Sequence, residues 1–125
     1  MGSTLAVTGK GGTGKTVISA LMIQWLVQQG RTPVLAVDAD SNANLHEVMG
    51  VTYSQSVGSV REGALEQAQQ TAGVSKQELL DLRTQQALVE RRGYDLLVMG
   101  RPEGRGCYCF ANTVLRDVIQ RIARS

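Results

Sequence analysis

One eight-residue stretch constrains this chain more than any other. Gly9-Lys-Gly-Gly-Thr-Gly14-Lys15-Thr16 satisfies the pattern G-x-x-x-x-G-K-[ST] without exception. Each residue type answers a physical need. Glycines let successive backbone N–H groups turn inward on a phosphate without Cβ clashes. A helix opening near Lys15 aims its free N–H groups and positive dipole end at the same place. Lys15 is expected to reach the β- and γ-phosphates of a nucleotide, and the Thr16 hydroxyl to face Mg²⁺. Gly9, Lys10, Gly11, Gly12, Thr13, Gly14, Lys15, Thr16 and Val17 form the expected binding loop. The motif needs a strand before it and a helix after it, and the flanking sequence offers both.

Residues 4–8 are a short β-rich run, expected as a buried strand. Ile18, Leu21, Met22, Trp25 and Leu26 recur on one face of a helix that Gly30 ends. Val34 to Val37 is a second apolar strand, closing on Asp38. Strand, helix and strand in so short a span predict a right-handed parallel βαβ unit. Beyond Ser41 the pattern weakens, with a short helix expected over 62–70. Ser75 and Glu78 form a capping box for a helix expected to run to Arg92 and end at Gly93. Residues 94–99 are a third strand, and a last helix places Val114, Leu115, Val118, Ile119 and Ile122 on one face. The expected class is α/β, a P-loop NTPase fold with a parallel sheet flanked by helices. Three strands are few for such a sheet, so residues 1–125 are expected to be the N-terminal part of a larger domain.

The end of the second strand carries the next chemistry. In an open parallel sheet, ligands bind outside the carboxyl ends of the strands, so Asp38 and Asp40 are expected near the γ-phosphate or Mg²⁺. Asp40 would orient a water for in-line attack; the second Mg²⁺-site aspartate is expected to be either Asp38, which alone follows an apolar strand directly, or a residue beyond Ser125. The alternative is a polar turn in which Asp40, Asn42 and Asn44 bond local backbone. His46, the single histidine, is expected as a surface or capping residue. Lys10 is either a solvated loop lysine, a second phosphate contact, or a residue serving a facing subunit.

Cys107 and Cys109 are the only cysteines. In an extended segment, residues two apart project to one side, so both thiols can meet one ion. Two ligands are too few for a closed tetrahedral site, and a two-fold axis would double them. Two free or buried thiols are the alternative. Charge excludes other classes: 13 basic and 11 acidic residues, interspersed, leave a net +2 with no clustered basic surface for nucleic acid. No apolar run approaches the roughly 18 residues of a membrane span, and a cytoplasmic protein is expected.

The loop GKGGTGKT, with its early Lys10, resembles the deviant Walker A group, which includes nitrogenase iron protein, MinD and ParA ATPases and metal-cluster maturation ATPases. Within it, Asp95-Leu-Leu-Val-Met-Gly-Arg-Pro-Glu-Gly-Arg-Gly-Cys-Tyr-Cys109, with Asn112 and Leu115-Arg116, is similar to the carbon monoxide dehydrogenase maturation factors, which are nickel-insertion ATPases. Ser41 and Arg105 stand where that family often has proline. The resemblance implies that residues 1–125 are the N-terminal part of a single P-loop ATPase domain, ending before its Walker B strand, and that the protein is an ATP- and Mg²⁺-dependent homodimer that couples hydrolysis to nickel delivery, with carbon monoxide dehydrogenase as client. Lys10 would cross to the partner's nucleotide, Lys15 and Asp40 would act in catalysis, Thr16 would ligate Mg²⁺, and Cys107 and Cys109 would share Zn²⁺ or Ni²⁺ across the interface. A MinD/ParA-type positioning ATPase and a non-catalytic nucleotide- or metal-binding fragment are the competing functions.

Overall fold

The structure is a computed structural model. It describes residues 2–40, 42–60, 63, 67, 73, 75–100, 113, 116, 117 and 120. The elements run in the order α1 (Lys15–Gln28), β1 (Val34–Asp38), α2 (Leu45–Val48), α3 (Lys76–Ala87), β2 (Val89–Arg91) and β3 (Tyr94–Val98). The sheet order is β1-β3-β2. β1 and β3 are parallel, with Val34 opposite Tyr94 and Asp38 opposite Val98. β2 joins β3 antiparallel, so the sheet is mixed.

β3 is the hub because its sequence is apolar on both faces. Leu96 and Val98 pack with Ala36 of β1 and with Ala20 and Ile23 of α1. Leu97 and Met99 face the other way, against Val57, Val60 and Ala87. The period-two alternation of the strand thus assigns neighbouring residues to separate cores. Leu96 and Leu97 are fully buried.

α1 ends as expected: Gly30 N–H donates to the Val27 carbonyl at 3.0 Å and Arg31 N–H to Leu26 at 2.9 Å, the two bonds of a Schellman motif. Its buried face differs from the expected one. Ala20 and Ile23 are buried, with Val27 packed beside them, whereas Ile18, Leu21 and Trp25 are exposed. α1 is apolar nearly all round, so periodicity alone does not choose its inner side; small Ala20 allows the close approach to the sheet.

The capping box forms: the Ser75 hydroxyl accepts from Glu78 N–H at 3.1 Å and the Glu78 carboxylate accepts from Ser75 N–H at 3.4 Å. The helix stops earlier than expected, at Ala87. Residues 89–91 form β2 and turn back through Arg92 and Gly93 into β3. Val89, opposite Leu96, gains burial in the α1-side core, which outweighs continuing a helix. The expected strand over 4–8 is not formed: those residues carry no strand, and Leu5 is 68% and Val7 41% exposed. A strand is a pairing, and no described edge of the sheet is paired with them. Gly63 and Gln67 are helical where a short helix is expected, and Thr113, Arg116, Asp117 and Gln120 are helical in the expected last helix. The apolar face of that last helix lies outside the described residues.

Candidate nucleotide-binding site

The glycine loop leads directly into α1. Gly14 precedes the helix at φ +85°, a left-handed conformation that glycine adopts without steric cost. Its carbonyl accepts the first helical bond, from Ile18 N–H at 3.1 Å. The loop is closed by its own side chains. The Thr13 hydroxyl donates to the Lys10 carbonyl at 2.7 Å, and Lys15 Nζ donates to the Gly9 carbonyl at 2.5 Å. The Lys15 ammonium therefore sits over the glycine loop, and Gly11 and Gly12 are exposed beside it. Lys10 is also exposed.

The second part of the site is the loop after β1. Asp38 is buried, with 8% exposure. Its Oδ1 accepts from Asp40 N–H at 3.2 Å, and its Oδ2 accepts from Asn44 N–H at 3.1 Å and Leu45 N–H at 3.0 Å. One carboxylate thus holds backbone N–H groups at both ends of the connection from β1 into α2. Its backbone carbonyl takes Met99 N–H at 2.9 Å, tying the turn to the end of β3. Asp40 is exposed, and its Oδ1 accepts from Asn42 N–H at 2.9 Å, the local turn foreseen as the alternative to a catalytic placement.

The two parts meet. The Thr16 hydroxyl donates to Asn44 Oδ1 at 2.8 Å, across 28 residues of sequence. The glycine loop, Asp38, Asp40 and Asn44 consequently share one edge of the sheet, the carboxyl edge of β1 and β3. Sequence reasoning placed Asn44 only in a local turn. Its long-range contact with Thr16 has no signal in a single sequence, because it depends on how α1 lies against β1.

His46 lies edge-on to Tyr53, with ring centroids 4.7 Å apart, and its Nε2 is 3.9 Å from Glu47 Oε1. Among the described residues there is no cluster of three or more His, Cys, Asp or Glu able to hold a metal. Cys107 and Cys109 lie outside the described residues. No described helix is long and apolar enough to cross a membrane.

The donor set fits a magnesium nucleotide: a glycine loop at a helix N-terminus, one lysine ammonium over it, and one hydroxyl at the start of the helix. Fold and site define an α/β P-loop nucleotide-binding domain. The chain belongs to the CobQ/CobB/MinD/ParA nucleotide binding domain family, whose model matches residues 4–123. It is 44% identical over 123 residues to an uncharacterized ATP-binding protein of Methanocaldococcus jannaschii, covering 96% of this chain and 48% of that protein. It is 33% identical over 131 residues to the carbon monoxide dehydrogenase accessory protein CooC of Rhodospirillum rubrum, covering 94% of this chain and 49% of that one. A second uncharacterized ATP-binding protein of M. jannaschii is 30% identical over 126 residues, covering 94% and 49%. The chain spans about half the length of the curated relatives it matches. No solved structure matches it significantly.

Proposed function

We propose that this chain forms the ATP-binding part of an ATP-hydrolysing maturation factor that couples nucleotide-driven dimerisation to nickel insertion into carbon monoxide dehydrogenase. The observation that carries the nucleotide reading is the meeting of the Gly9–Thr16 loop with the Asp38–Asn44 loop at one sheet edge. The maturation role draws on the likeness to the accessory protein of R. rubrum and on the Cys107–Cys109 pair.

In this reading, backbone N–H groups of residues 11–16 cradle the phosphates. Lys15 leaves the Gly9 carbonyl for the β- and γ-phosphate oxygens, exchanging a neutral acceptor for an anionic one. Thr16 would hold Mg²⁺, which would supply charge to offset the negative charge of the phosphoryl group. Asp40, at the exposed tip of the second loop, turns from its Asn42 bond to orient the attacking water. Asp38, whose oxygens hold three backbone N–H groups, sets where Asp40 stands. Lys10 reaches the nucleotide of a facing subunit, and Cys107 and Cys109 from two subunits complete one four-thiolate site for Zn²⁺ or Ni²⁺.

Two variants of the intact protein test the assignment. Lys15→Ala should weaken ATP binding by an order of magnitude or more, since a charge-assisted contact contributes about 1.5–3 kcal/mol. Asp40→Asn should keep ATP affinity and lose turnover. Unchanged affinity in the first, or surviving turnover in the second, contradicts the role given to that residue.

A further inference from the structure

We infer that Asn44 is a positioning residue for the magnesium site: it fixes the Thr16 hydroxyl so that the lone pairs of Oγ1, rather than its proton, face the cation. This rests on the nucleotide reading above and adds to it a residue that acts through another.

The argument starts from the hydroxyl. A threonine O–H has one proton and two lone pairs, and it rotates to suit its surroundings. Beside a divalent cation the proton must point away, or the oxygen cannot ligate. Asn44 Oδ1, 2.8 Å from Thr16 Oγ1, is the acceptor that takes this proton. It is neutral, so it orients the hydroxyl without adding negative charge beside a triphosphate.

An acceptor on a mobile loop would do this poorly, and Asn44 is not left mobile. Its own N–H is held by the carboxylate of buried Asp38 at 3.1 Å, and the next N–H, of Leu45, by the same oxygen at 3.0 Å. The Asp38 carbonyl is bonded to Met99 N–H beyond the end of β3. An unbroken hydrogen-bonded path therefore runs from the sheet, through Asp38 and Asn44, to Thr16 at the start of α1. The other oxygen of Asp38 holds Asp40 N–H, so one buried carboxylate sets the height of both the amide and the acid. The geometry ties cation binding at Thr16 to the order of the loop that bears Asp40.

The test is ADP binding by calorimetry, with excess Mg²⁺ and again with a chelator, for the unmodified protein, Asn44→Leu and Asn44→Asp. ADP avoids turnover, so the readout is independent of activity. The unmodified protein should bind ADP more tightly with Mg²⁺ than without. Asn44→Leu, which keeps the volume and removes the acceptor, should lose about tenfold in affinity with Mg²⁺ and nothing in the chelator. Asn44→Asp, which keeps an oxygen in place, should retain the Mg²⁺ enhancement. An undiminished enhancement in Asn44→Leu overturns the inference, as does an equal loss with and without Mg²⁺, which would mark a purely structural role. Should Asn44→Leu fail to fold, Asn44→Asp decides alone: loss of the enhancement there overturns the inference. Failure of the unmodified protein to bind ADP at all would instead overturn the nucleotide reading itself.

Discussion

Residues 4–8 and β3 are close to interchangeable as strand sequences, and they end in different states. Both are short apolar runs followed by a glycine within two residues. In β3, Leu96, Leu97 and Val98 are almost fully buried, with β1 on one edge and β2 on the other. In the N-terminal run, Leu5 and Val7 face solvent and no strand forms. The difference is not propensity. β3 has two hydrogen-bonding partners and a layer on each face: α1 on one side, residues 57–60 and Ala87 on the other. An apolar run nominates a strand; pairing makes one.

The sharpest test of that contrast is truncation of one leucine in each run. Leu97→Ala should destabilise by about 2–5 kcal/mol, the range for emptying a fully packed leucine site. Leu5→Ala should stay within roughly 0.5 kcal/mol, as for an exposed side chain. Denaturant melts of the two variants measure both. Similar losses would mean that residues 4–8 are packed in solution, and the contrast would collapse.

The antiparallel edge of β3 can be loosened separately. Gly93 turns β2 into β3 at φ +89°, and a Cβ there would meet Val27 Cγ1 at 2.7 Å. Gly93→Ala should cost about 1–2 kcal/mol from the left-handed backbone alone, and the approach to Val27 adds to it. Because Val27 belongs to α1, the loss should appear in the packing of α1 on the sheet as well as in the hairpin. Amide exchange in β2, β3 and α1 reports it; faster exchange confined to the turn would show that β3 does not depend on its second partner.

The sequence made some of this legible, and the reasons are local ones. The glycine loop, the capping box at Ser75, the Gly30 stop and both parallel strands each carry their signal within a few residues. What stayed hidden depended on contacts distant in sequence. The choice of Ala20 and Ile23 over Ile18, Leu21 and Trp25 as the inner face of α1 is made by the sheet. The early end of α3 at Ala87 is made by β3, which recruits Val89. The same holds for the candidate site: the motif nominates Lys15 and Thr16 within a few residues, whereas the bond between Thr16 and Asn44 exists only once α1 and the loop after β1 are brought together. Asp38, a candidate for Mg²⁺ from its place after β1, is seen to hold the turn through three backbone N–H groups.

The smallest expected effect concerns the polar half of β3. Asp95 stands directly opposite Glu90 of β2, and its pKa is raised above the ordinary 3.8 by partial burial first and by the Glu90 charge second. Like charges facing each other across an antiparallel pair are destabilising, so β3 keeps this pairing at a small cost. The sign follows from linkage. A carboxyl whose folded-state pKa is raised binds its proton more readily folded than unfolded, so the fold is penalised at pH above that raised value. The penalty fades as pH falls through it and is gone below 3.8, where both states are protonated. Asp95→Asn should therefore stabilise the protein at neutral pH by a few tenths of a kcal/mol up to about 1 kcal/mol, with the advantage shrinking on acidification. Melting temperatures of the two proteins measured from neutral to acid pH should converge at the acid end. A constant gap would assign the effect to packing at position 95, and a lower melting temperature for the variant at neutral pH would mean that Asp95 supports β3 as a charged residue.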